Sequence, residues 1–103
     1  MIYQQTVRTV QGGQTATFLQ LSAAMAPYLE KAGYKFLGMW QTTIGNMYEF
    51  TMLLSGESLA QVEKAYAALV ANQEYMDLTQ KMNSISTSFT SKMMRPTPIS
   101  PMK

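Results

Sequence analysis

Five short interruptions divide a chain of 103 residues into six segments, and the order of the segments leaves few folds open. Ile2 to Val10 is rich in β-branched residues and reads as a strand that ends at Gln11-Gly12-Gly13. Phe18, Leu21, Met25 and Leu29 then recur at spacings of three and four, which marks one apolar helix face. Pro27 is expected to kink or interrupt this helix near its last turn, and Gly33 to cap it, with Lys31 suiting the helix dipole. Lys35 to Ile44 and Tyr48 to Leu54 flank Gly45-Asn46-Met47 as the arms of a hairpin. Ser58-Leu59-Ala60-Gln61 has the capping-box form, and Leu59, Val62, Tyr66 and Leu69 supply the stripe of a second helix. A polar break at Asn72 restarts a shorter helical turn through Tyr75, Leu78 and Met82. Ser84 to Met94 reads as the last strand, and Arg95 to Pro101 as an extended tail, because three prolines forbid a helix.

Strand, helix, strand, strand, helix, strand is the split βαβ order, so the expected fold is α+β, ferredoxin-like βαββαβ with a four-stranded antiparallel sheet. Residues 1–103 form one domain in this reading, with 95–103 as its Pro-rich tail. Both crossovers place their helices on the same sheet face. The other face is too large an apolar patch to leave in water, so a second copy is expected to cover it, making a dimeric α/β barrel with a closed interior. In the hairpin, Thr43 should oppose Tyr48, Gln41 oppose Phe50 and Met39 oppose Met52, with Trp40 and Thr51 on the other face.

Composition removes most catalytic chemistries. With no cysteine and no histidine there is no thiolate nucleophile, no imidazole base, and no metal site of the usual ligand types. The eight basic residues, Lys103 the last, are spread along the chain with a net charge of +2, which argues against a nucleic-acid partner. No apolar run is long enough to span a membrane and the first residues do not read as a signal sequence, so a cytoplasmic protein is expected. No metal or other cofactor is implied.

Met1-Ile2-Tyr3, the run from Gly33 to Gly45 (Gly-Tyr-Lys-Phe-Leu-Gly-Met-Trp-Gln-Thr-Thr-Ile-Gly) and Arg95 to Pro101 together resemble the NIPSNAP family of dimeric α/β barrels. Pro27-Tyr28-Leu29-Glu30-Lys31 and Glu57-Ser58-Leu59 add to the likeness, which spans the whole chain. The resemblance implies a ferredoxin-like domain that dimerises through its sheet around a cavity. The wider superfamily includes cofactor-free monooxygenases, cyclases, isomerases and non-catalytic members. Where the family often has a His and a Trp two residues apart in the third strand, this chain has Met52 and Leu54, so histidine chemistry is not implied for it.

Arg8 is the only charge in the first strand and shares a face with Gln4 and Thr6. It reads as a guanidinium for a carboxylate, phenolate or enolate, or as a solvent-facing residue near a strand end. Tyr48 is a candidate oxyanion donor on a face with Leu37, Met39, Phe50 and Met52, an apolar lining in which Gln41 is a polar anchor. Tyr3 could donate in the same way. Glu49 could be a base if buried, or else a rim carboxylate, and Lys92 a second cation near the cavity or a rim residue. Trp40 is expected in the core under the helices with Phe36 and Leu53. The function these residues suggest is a homodimer binding a small apolar or aromatic molecule in its interior, with Arg8 and Tyr48 catalytic and Gln4, Thr6, Met39, Gln41, Phe50 and Met52 binding it. Cofactor-independent cyclisation, isomerisation or oxidation would follow. The alternative is a non-catalytic ligand-binding or assembly protein.

Overall fold

The computed structural model describes residues Met1 to Met102; Lys103 lies outside the described residues. The elements are β1 (Ile2–Val10), α1 (Thr15–Ala32), β2 (Lys35–Gln41), β3 (Glu49–Gly56), α2 (Leu59–Val70), α3 (Gln73–Ser84) and β4 (Ser86–Met94). The four strands form one antiparallel sheet in the order β2-β3-β1-β4, and the helices pack on one of its faces. This is the α+β, ferredoxin-like arrangement that the segment order implies, with one helix more. No described helix is long and apolar enough to cross a membrane.

The extra helix comes from the cap at Asn72. Its side chain accepts from the Tyr75 N–H at 3.2 Å, and the segment expected to turn helically through Tyr75, Leu78 and Met82 is a separate helix of 12 residues. At the start of α2, Ser58 Oγ accepts from the Gln61 N–H at 3.1 Å as the capping pattern requires. The reciprocal bond falls one residue early, from the Glu57 N–H to Gln61 Oε1 at 3.2 Å. Gln61 Nε2 meanwhile donates to the Gly33 carbonyl at 2.9 Å, tying the end of α1 to the start of α2. Helix α1 continues through Pro27 instead of breaking there. Pro27 and Ala23, one turn back, are both exposed, so water can serve the carbonyl that the proline leaves unbonded.

The hairpin keeps the expected pairs Met39 with Met52 and Gln41 with Phe50, and Trp40 lies opposite Thr51. Its arms are shorter than expected. Thr42 and Glu49 make the last backbone bond at 3.0 Å, and Tyr48 lies in the turn, its N–H held by Asn46 Oδ1 at 3.0 Å, so Thr43 and Tyr48 do not pair. A bulge at Leu37 shifts the register between Phe36 and Gly38. Phe36 therefore joins Met39 on the helix side. Trp40, next to Met39, projects by alternation on the uncovered face, 55% exposed rather than under the helices. In the tail, the Ser100 N–H donates to the Thr97 carbonyl at 3.0 Å, a tight turn in place of a fully extended run. Arg95, Pro96 and Thr97 border a groove with Tyr3 and Leu53 on that uncovered face.

Candidate functional site

Two buried clusters hold the helices to the sheet. Leu29, Tyr34, Leu54, Val62, Ala65 and Leu69 form one, and Val10, Phe18, Phe50 and Met82 the other, with Phe18 and Phe50 ring centroids 4.4 Å apart. Between them lies a cavity of about 480 Å³ lined by members of both. Interiors of this size ordinarily pack without voids larger than a water molecule, and a cavity of this volume is of the size that small-molecule sites have. It sits between sheet and helices of a single chain, whereas the sequence reading placed a cavity in the interior of a barrel made by two copies.

The alternation of β1 builds the polar wall. Gln4, Thr6 and Arg8 all face the cavity, and Ser91 and Phe89 continue that wall on β4. Phe36, Met39, Phe50, Met52 and Leu54 from β2 and β3 make an apolar floor. Arg8 is the one full charge in the lining. Its Nη1 donates to Asn83 Oδ1 at 3.0 Å and to Ser86 Oγ at 2.9 Å, both neutral acceptors, and no carboxylate among the described residues pairs with it. Burial lowers its pKa from the ordinary guanidinium value, while Tyr75 nearby acts the other way. A half-buried guanidinium without a counter-ion is costly to hold and is a ready partner for an anion.

Three phenols join it. Tyr34 and Tyr75 both have pKa values raised above the ordinary 10.0, first by burial, so each is a neutral hydrogen-bond donor at physiological pH. For Tyr75, Thr79 and Arg8 pull the other way. Tyr66 stands at the rim. Gln4 Oε1 and Ser22 Oγ are buried without any hydrogen-bond partner, and both residues line the cavity. Such atoms typically cost about 1–3 kcal/mol each, so their residues are polar where stability alone would favour apolar ones.

Of the residues singled out in the sequence, Gln4, Thr6, Arg8, Met39, Phe50 and Met52 come together around this cavity, whereas Gln41 and Tyr48 do not line it. Gln41 Nε2 donates to the Met47 carbonyl at 2.7 Å and closes the hairpin loop. Tyr48 is exposed and its ring lies over Gly12. Glu49 accepts from Thr42 Oγ1 at 3.3 Å, and Lys92 pairs with Gln5 on the face away from the cavity. Tyr34, Tyr75, Ser22 and Asn83 were missed. Ser22 has a readable signal: it stands on the same stripe as Phe18, Met25 and Leu29, a hydroxyl where an apolar residue would fill the core.

A family model described as NIPSNAP matches residues 3–101. Among solved structures, a protein of Agrobacterium tumefaciens is 18% identical, with 100% of each chain covered and a TM-score of 0.89. A NIPSNAP family protein of the same organism is 20% identical, with 99% of this chain and 98% of that one covered and a TM-score of 0.83. A structure described as a putative antibiotic biosynthesis monooxygenase from Nitrosomonas europaea is 8% identical, with 93% of this chain and 98% of that one covered and a TM-score of 0.74. Identities this low speak for the fold alone. No curated protein matches.

Proposed function

This chain belongs to the NIPSNAP family, and on that premise we propose that it is a homodimeric α/β-barrel protein that takes a small, largely apolar or aromatic molecule into the cavity between its sheet and helices. The observation that carries the reading is the Arg8 guanidinium, held by neutral partners in a cavity whose lining has no other charge. Gln4 and Thr6 extend the polar wall, and Met39, Phe50 and Met52 supply floor. Any chemistry there is what a fixed cation and neutral phenols can do. They hold one conformer of the ligand and stabilise negative charge that develops on a carbonyl oxygen, as a cofactor-independent cyclisation, isomerisation or oxidation requires. No carboxylate lines the cavity, an observation that favours binding without turnover as the second reading.

Dimerisation draws its support from the uncovered sheet face, where Trp40 is exposed and Tyr3 and Leu53 border the tail groove. Mass spectrometry of small molecules retained by the purified protein tests the reading. An aromatic or apolar anion retained by the wild type and lost from Arg8→Met is the expected result. Equal retention by both overturns the role given to Arg8.

A further inference from the structure

Resting on the reading that the cavity takes a ligand, we propose that the ligand lies with its acid outward: an aromatic acid whose apolar far end is enclosed, and whose acidic end stays at the mouth with room for an extension into solvent. The cavity is open on one side, and the one full charge of its lining stands at that opening.

The lining divides by burial. Tyr66 and Val70 on α2, Asn83 on α3, and Phe89 and Ser91 on β4 are exposed, and they mark the mouth. Phe18 and Leu29 on α1, with Phe50 and Leu54 on β3, are 5% exposed or less and mark the closed end. Topology explains the difference. β4 is an edge strand beyond the helix cover, and every residue from Thr87 to Met93 is exposed.

Arg8 belongs to the mouth. Of the side chains that hold its guanidinium, Asn83 and Phe89 are exposed and Ser86 is half-buried. An acid paired with Arg8 therefore keeps a side toward water, and the rest of the molecule buries apolar surface only by lying inward. Phe50 is the partner of Arg8 across the β1–β3 ladder, and Leu54 follows four residues along β3. At roughly 3.3 Å per residue that is about 13 Å, a length that takes two rings in line. No Lys or Arg lines the closed end, so a second charge carried there would lose its water without gaining a partner.

Calorimetric titration of the purified protein with biphenylcarboxylate and three derivatives tests this. The glycine conjugate is extended at the acid, the acetamido derivative is extended to a similar degree at the far ring, and the dicarboxylate has an acid at each end. The glycine conjugate should stay within about tenfold of the parent, while the other two should bind on the order of a hundredfold more weakly. Asn83→Asp, nearly isosteric at an exposed position, sets a carboxylate beside Arg8 and should weaken the parent on the order of tenfold. If the conjugate is rejected and the acetamido derivative accepted, if both extensions cost the same, or if Asn83→Asp leaves the parent's affinity unchanged, the outward acid is overturned while the cavity remains a binding site. If none of the four binds, the cavity reading falls and this inference with it.

Discussion

The Arg8 guanidinium carbon lies 4.5 Å above the ring of Phe89, its direct partner across the β1–β4 ladder. The aromatic face shares part of the charge that burial strips of water, and this lets a cation without a carboxylate persist beside an apolar floor. Asn83 at the end of α3 and Ser86 at the start of β4 hold the same head group, so its position depends on three elements at once.

Replacing Arg8 should therefore separate binding from folding. Arg8→Met keeps the apolar stem, releases Asn83 and Ser86 to water, and removes a desolvated charge, so the urea midpoint should change by no more than about 1 kcal/mol equivalent. Affinity for biphenylcarboxylate should fall on the order of tenfold to a hundredfold by calorimetry. Tyr48→Phe, far from the cavity over Gly12, should leave that affinity unchanged.

The architecture was legible because breakers and caps act locally: Gly12-Gly13, Gly33 and Ser58 each end or start an element where the sequence says so. Half of the cavity was legible too, since strict alternation along β1 puts Gln4, Thr6 and Arg8 on one face wherever that face points. The assignment of Phe36 turned on one residue. The bulge at Leu37 moves Phe36 to the helix side, and nothing in Lys35-Phe36-Leu37-Gly38 announces it. Tyr34 and Tyr75 were hidden for another reason: each stands beside a helix boundary, so its direction depends on how the helices cross, which no local pattern encodes. Which face holds the cavity was also out of reach, because a gap between two core clusters is a property of packing and not of periodicity.

Trp40 offers a test of the dimer. It stands on the uncovered face, so close to Gly38 that a Cβ there would come within 2.8 Å of its ring. A charge at this position cannot be buried against a second sheet without a partner. Light scattering should give a mass near twice 11.5 kDa for the wild type, and Trp40→Glu should shift it toward one chain. A wild-type monomer at micromolar concentration would remove the barrel.

Gly33 is the sharpest stability probe. Its φ of +120° suits glycine alone, and a Cβ there would collide with Gln61 Nε2, in the bond that joins α1 to α2. Gly33→Ala should cost about 2 kcal/mol from backbone strain and displacement of Gln61. A thermal midpoint equal to that of the wild type would mean that the helix end rearranges freely.

Alkaline pH should destabilise the fold through its buried phenols. Tyr34 and Tyr75 have pKa values raised above the ordinary 10.0, burial being the first cause for each, and Tyr28 is raised first by its hydrogen bond to Glu74. Below about pH 9 the folded and unfolded chains both keep these protons, so these groups give stability no pH dependence there. As pH passes 10.0 the unfolded chain releases them first, binds fewer protons than the folded one, and is favoured progressively until the folded phenols ionise too. Arg8, lowered by burial from its ordinary value, acts in the opposite sense, so the profile is best read against Arg8→Met. Urea midpoints should be level through neutral pH and fall above 10.0, with a shallower fall in Tyr34→Phe, which has no such proton to lose. An equally steep fall in Tyr34→Phe would place the alkaline sensitivity elsewhere.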